Sequence, residues 1–189
     1  MQKTRLVVGI SGASGVIYGA RLVEALIESS IEVHLIISKW AERILEEEMR
    51  GNALSGDELR EIARYSYDPL DMGAAISSSS FLTDGMVICP ASVKTTSQIA
   101  SADTSDLISR AADVALKMGR KLVLCIRETP LSAPCLENLH KLASYGVIIM
   151  PLSPAFYHKP VSIEDIISFM VGKILDVFEI PNKMYSRWQ

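Results

Sequence analysis

The stretch Leu6-Val7-Val8-Gly9-Ile10-Ser11-Gly12-Ala13-Ser14-Gly15 decides how the rest of this chain is read. Leu6–Ile10 is an apolar run that reads as a buried strand. It stops at a loop of small residues, Ser11 to Gly15. Tyr18 to Ile27 then follows, with Leu22, Leu26 and Ile27 at helical spacing. A strand that feeds such a loop and opens a helix makes an anion site. Glycine allows close approach of the backbone, free N–H groups point outward, and the helix dipole adds partial positive charge. Loops of this kind hold a phosphate of a nucleotide or a flavin. The spacing is not the dinucleotide G-x-G-x-x-G, because the third glycine is missing at the required offset, and no Gly-Lys-Ser/Thr follows as in a P-loop. An ordinary tight turn between strand and helix is the plain alternative.

At 189 residues the chain is expected to form one domain, residues 1–189, large enough for a substantial core. Hydrophobic residues make up 49% and the mean hydropathy is +0.24, which fits a parallel sheet covered on both faces plus apolar surface buried between subunits. No apolar run reaches the roughly 18 residues of a membrane span. Met1 to Arg5 leads straight into a strand, so no signal peptide is expected. The net charge of −3 gives no reason to expect nucleic acid. Cys89, Cys125 and Cys135 lack C-x-x-C spacing and read as buried free thiols in a reducing cytoplasm.

Along the chain, strand-like runs alternate with amphipathic ones. Leu6–Ile10, Val33–Ile37, Gly85–Cys89, Leu122–Ile126 and Val147–Met150 read as strands. Tyr18–Glu28, Trp40–Met49, Asp57–Tyr65, Lys94–Ala100, Leu107–Lys117, Ser132–Tyr145 and Ile163–Val177 read as helices, and Asp68–Ser80 as a loop. Alternation with β-branched, non-alternating strands implies a parallel sheet with helices on both faces. Ligands of such folds sit beyond the carboxyl ends of the strands.

The strand ends therefore form a shortlist. They are Ser11 to Ser14, Ser38-Lys39, Cys89 to Thr96, Arg127 to Pro130, and Pro151 to His158. Hydroxyls and backbone amides dominate, with Arg127 and Glu128 among them. That chemistry suits a phosphate joined to a flat, hydrogen-bonding heterocycle such as flavin. It lacks three convergent ligands for a catalytic metal and a nucleophile elbow. Arg110 and Lys117, two turns apart on one helix, are either a solvated basic face or a second phosphate site. Glu128 could be a surface carboxylate or a proton donor near that phosphate. Glu46-Glu47-Glu48 reads most simply as a solvated helix face, and His158 as a loop residue.

Taken in order, several strings resemble the UbiX-type flavin prenyltransferases over essentially the whole chain. They are Gly9 to Gly15 with Tyr18-Gly19 and Arg21-Leu22, Val33-His34-Leu35 with Ser38-Lys39, Met86 to Pro90, Arg110 to Lys117, Leu122 to Leu131, Leu136-Glu137-Asn138, Pro154 to Pro160 and Arg187-Trp188. The resemblance implies a flavodoxin-like (Rossmann-like) three-layer α/β/α sandwich and a cytoplasmic homododecamer with sites between subunits. It implies reduced FMN, bound as substrate rather than redox cofactor, and no metal. The reaction implied moves a dimethylallyl group from dimethylallyl monophosphate to flavin N5, followed by ring closure onto C6. The prenylated FMN would serve a UbiD-type decarboxylase, as in ubiquinone biosynthesis.

The resemblance also implies roles. Gly12, Ala13, Ser14, Ser38, Ser92, Val93, Lys94, Thr95 and Arg127 fall where the family contacts FMN. Arg110, Lys117, Tyr157 and Lys173 fall around the prenyl phosphate, with Glu128 as proton donor. Glu48 with Ser14 matches the pair that removes the C6 proton. Two residues depart from the family pattern: Lys173 stands where arginine is usual, and Ser79 where many members have glycine. Lys94 replaces glycine of some relatives. The rival readings are an FMN-dependent decarboxylase that oxidises a cysteine thiol and a non-catalytic FMN carrier. The first would need a histidine near Tyr67–Ala75, where this chain has none.

Overall fold

The computed structural model describes residues 4–49 and 54–188. Six strands form one sheet: β1 (Arg5–Ile10), β2 (Glu32–Ile37), β3 (Tyr65–Tyr67), β4 (Gly85–Ala91), β5 (Lys121–Ile126) and β6 (Ile148–Pro151). Their order is β3-β2-β1-β4-β5-β6 and every pairing is parallel. Among the described residues six helices lie between strands, α1 (Val16–Glu28), α2 (Lys39–Glu48), α3 (Gly56–Ile62), α4 (Val93–Ala100), α5 (Leu107–Lys117) and α6 (Ala133–Ser144), and α7 (Ile163–Val177) follows the last strand.

The sheet is buried on both faces, which is why its strands read as continuous apolar runs. Val8 and Ile10 of β1 face one core with Leu22 and Val23 of α1, Leu45 of α2 and Val171 and Ile174 of α7. Val7 faces the other with Ile108 and Ala112 of α5, Ile99 of α4 and Leu142 of α6. The flavodoxin-like α/β/α sandwich follows directly.

One expectation fails. The helix read over Asp57–Tyr65 stops at Ile62, and Tyr65–Tyr67 is instead the edge strand β3, paired to His34–Ile36. Three residues are too few to show a period, and their stability comes from β2, which lies far away in sequence. Within the segment read as loop, Ala75–Ser77 makes a single 3-10 turn. Most helices start on a side-chain cap: Ser38, Ser55, Ser92, Asp106, Ser132 and Ser162 each accept a first-turn N–H. Among the described residues no helix is long and apolar enough to cross a membrane.

Candidate active site

The order in which strands are added to the sheet reverses between β1 and β4. From β1 the sheet grows one way through β2 and β3, and from β4 the other way through β5 and β6. Such a reversal leaves a crevice beyond the strand ends. Here it is a cavity of about 870 Å³, within the usual range for small-molecule sites.

Its walls contain Gly12, Ala13 and Ser14 after β1, Ser38 after β2, Ser92 to Thr95 after β4, and Arg127 and Glu128 after β5. All nine residues singled out for FMN lie here. Ser11 ties the first two loops together: its hydroxyl donates to Pro90 O at 2.9 Å and accepts from Ser92 N at 2.8 Å. The β1 loop stays open to a ligand. Among the described residues the amides of Gly12 and Ser14 bond no protein acceptor. Gly12 lies so close to Trp40 that a Cβ there would stand 2.6 Å from the tryptophan Cβ.

The hydroxyls have a double use. Ser38 caps α2, accepting from Ala41 N at 3.2 Å. Ser92 caps α4 and donates to the Thr95 hydroxyl at 3.1 Å, which leaves Thr95 with its own proton to give. Arg127 reaches back across the sheet, and its Nε donates to Ser14 O at 3.0 Å. Its terminal nitrogens remain for another acceptor.

Glu48 is exposed, yet it is not simply solvated. Its Oε2 accepts the Gly15 N–H at 2.8 Å. Gly15 opens α1 in the left-handed region at φ +89° with no side-chain cap, so a carboxylate from α2 meets the positive end of α1 beside Ser14. The spacing of the acidic run gave no hint of this contact, because it depends on how α2 lies against α1.

The residues placed around the prenyl phosphate are not gathered in the same cavity. Arg110 and Lys117 share Asp113, each at 3.2 Å, so they do face the same way on α5. Arg110 also donates to Ser77 O at 3.0 Å. Tyr157 and Lys173 belong to the opposite face of the sheet. The Tyr157 ring meets Phe169 of α7 at 5.8 Å, and Lys173 Nζ lies 5.9 Å from the Tyr185 ring centre. Glu128 lines the cavity and holds its own neighbour, accepting Thr129 N at 3.0 Å.

Lys39, on the strand-end shortlist, also lines the cavity, while sequence reasoning missed Trp40, Glu42, Ile44, Asp68, Pro69, Leu70, Asp106 and Ile108. Trp40 directly follows the strand end at Ser38-Lys39, so the strand-end rule could have reached it. Asp68 to Leu70 follow the overlooked β3 and were lost with it.

The cavity suits the proposed ligand on its chemistry. Trp40, Leu70, Val93 and Ile108 offer apolar surface for a flat ring, and open amides and hydroxyls offer donors for a phosphate. The charges are mixed, with Lys39, Lys94 and Arg127 against Glu42, Asp68, Asp106 and Glu128. A phosphate dianion beside that set needs further cations. Among the described residues no group of three or more His, Cys, Asp or Glu could hold a metal ion.

A family model described as Flavoprotein matches residues 1–175. Flavin prenyltransferase LpdB of Lactiplantibacillus plantarum is 51% identical over 186 residues, covering 98% of each chain. The crystal structure of AnUbiX (PadA1) in complex with FMN and dimethylallyl pyrophosphate superposes with a TM-score of 0.95 at 41% identity, covering all of this chain and 98% of that one. A dodecameric FMN-dependent UbiX-like decarboxylase from Escherichia coli O157:H7 also gives 0.95, at 43% identity, covering 98% of this chain and all of that one.

Proposed function

The chain belongs to the UbiX-type flavin prenyltransferases, and from that membership we propose that it transfers the dimethylallyl group of dimethylallyl monophosphate to reduced FMN. One observation supports the residue assignment above all. The loops after β1, β2, β4 and β5, chosen by their chemistry, wall a single cavity. Bound FMN would supply nucleophilic N5 and the adjacent C6 of its reduced ring.

The protein's part is to hold, screen and move protons. Gly12 to Ser14 and Ser92 to Thr95 present donors to the flavin and its phosphate, and Arg127 adds a cation. Glu128 gives a proton to the phosphate oxygen as the C1–O bond breaks. Arg110, Lys117 and Lys173 stabilise the charge that develops there, with Tyr157 as a hydroxyl donor. Glu48, acting through Ser14, accepts the proton lost from C6 at ring closure.

These groups need more than one copy of the chain. Arg110 and Lys117 sit on α5, while Lys173 sits on α7 across the sheet and Tyr157 packs against that helix. The mixed charge of the cavity calls for cations from outside it. We therefore propose a homo-oligomer, a dodecamer as in the Escherichia coli neighbour, with each site completed by adjoining subunits. The single-domain reading, a cytoplasmic location and delivery of product to a UbiD-type decarboxylase belong to the same proposal. Three free buried cysteines support a reducing compartment. No observation favours the thiol-oxidising or carrier readings.

The test is anaerobic incubation with reduced FMN and dimethylallyl monophosphate, with the diphosphate in parallel, followed by mass spectrometry of the released flavin. A gain of one five-carbon prenyl unit is the expected result. Unmodified FMN with both donors would overturn the assignment.

A further inference from the structure

Beyond α7 the chain turns back along that helix, and it does so without joining a strand or forming a helix of its own. Its main chain has few ties among the described residues: Phe178 N and Ile180 N donate to Leu175 O at 3.1 and 3.0 Å, Glu179 N to Asp176 O at 3.0 Å and Met184 N to Asn182 Oδ1 at 3.4 Å, and Ile180 O accepts Asn182 Nδ2 at 3.2 Å. Ile180 is buried in the core and Phe178 and Met184 pack against it, and past them one carboxylate gathers the segment's polar side chains. Asp176 Oδ1 accepts Asn182 Nδ2 at 2.9 Å and Arg187 Nη2 at 2.6 Å. Its Oδ2 accepts the Tyr185 hydroxyl at 2.5 Å and Arg187 Nη1 at 2.9 Å. The arginine grips both oxygens, the fork geometry that fixes orientation as well as adding attraction. Gly172 completes the fit, because a Cβ there would stand 2.6 Å from the Tyr185 ring.

The segment so tied touches two residues assigned to the prenyl phosphate. The Tyr185 ring lies 5.9 Å from Lys173 Nζ and meets Phe169 at 4.9 Å. Trp188 meets the Tyr157 ring edge-on at 5.3 Å. Lysine is a point charge on a long flexible stem, so something must hold it if it is to serve as a fixed phosphate ligand in place of a forked arginine. Tyr157 sits in a segment without regular structure and likewise takes its orientation from neighbouring rings.

We infer that Asp176 is a positioning residue: by clamping the C-terminal segment onto α7 it sets Tyr157 and Lys173 in place for the prenyl phosphate. The inference rests on the proposed function, which assigns those two residues. Asp176 lies apart from the flavin cavity, so the clamp should govern the prenyl donor and not the flavin.

The experiment compares Asp176→Asn and Arg187→Lys with the wild type in three measurements. These are hydrogen exchange across residues 178–188, the KM for dimethylallyl monophosphate, and the dissociation constant for FMN. Asp176→Asn keeps the shape but loses the charge that four donors share. The expected result is faster exchange confined to the C-terminal segment and a KM raised about tenfold, with FMN binding changed less than about twofold; Arg187→Lys falls between. Unchanged exchange and KM would overturn the inference. So would FMN binding weakened in step with KM and faster exchange throughout, since that marks a general loss of stability. If the wild type makes no prenylated flavin, the proposed function fails instead, and the exchange measurement still decides whether Asp176 clamps the segment.

Discussion

At the residue scale, single contacts separate residues that hold the fold from those that serve the site. Gly19 is a fold residue. A Cβ there would stand 2.2 Å from Cys89 O, where α1 crosses β4. Backbone cannot yield as a flexible side chain can, so Gly19→Ala should cost about 3 kcal/mol, read from the midpoint of urea denaturation. Gly12 lines the cavity, and its missing Cβ leaves room for Trp40 in the wall. Glu48 separates shape from chemistry. Gln at this position can still accept the Gly15 N–H through its amide oxygen, so Glu48→Gln should unfold within about a degree or two of the wild type. It cannot take a proton, and turnover should fall at least about a hundredfold with FMN affinity kept, measured by steady-state assay and flavin titration. From pattern alone Glu48 was one of three equivalent acids. The family resemblance singled it out, and the packing of α2 against α1 supplies the contact that sets it beside Ser14.

At the element scale, the edge strand β3 is held by a buried polar chain. His34 of β2 bonds the Tyr67 hydroxyl at 2.8 Å and Glu32 Oε1 at 3.1 Å, and Glu32 takes Arg5 Nε of β1 at 2.5 Å. Tyr65 stacks on the imidazole and Phe81 meets it edge-on. Burial lowers the His34 pKa, and the attraction of Glu32 offsets this only in part, with Arg5 and Arg64 acting in the same direction as burial. The folded chain therefore favours the neutral ring. Above the ordinary value of about 6.5 this contributes fully to stability, and as pH falls below it the unfolded chain gains a proton first and stability declines. Urea midpoints should drop as pH falls from about 7 to 5, and His34→Gln should flatten that slope. The clamp on α7 acts at lower pH. Burial alone would raise the Asp176 carboxyl, but bonds from Arg187, Tyr185 and Asn182 outweigh it and hold it at about 2. Its share of stability is present above the ordinary carboxyl range and lost as pH falls toward 2, so Asp176→Asn should remove a part of the acid-unfolding curve that His34→Gln leaves in place.

At the scale of the whole molecule, the exposed surface is unusually apolar in places. Val161 is 95% exposed, Trp188 78%, Ile163 75% and Phe156 68%, and they flank the segment that carries Tyr157. Apolar surface of this kind is expected to be covered by another copy. Val161→Glu should shift sedimentation toward smaller species and lower prenyltransferase activity together. Arg110→Ala and Lys173→Ala should each be inactive alone, and co-expressed subunits should recover activity, because one mixed site can contain both intact side chains. Recovery absent in assembled mixtures would place both residues in the same copy. The sequence by itself determined the parallel α/β sandwich and the loops after β1, β2, β4 and β5. Those depend on local features, namely apolar runs of strand length and the small residues that end β1. Only the tertiary structure decided the rest. It made Tyr65–Tyr67 a strand, brought Glu48 to Gly15, put α5 and α7 on opposite faces, and folded Asp176, Tyr185 and Arg187 into one clamp. Each of these is a contact between segments that a linear pattern leaves independent, and the geometry of packing, not spacing along the chain, brings them together.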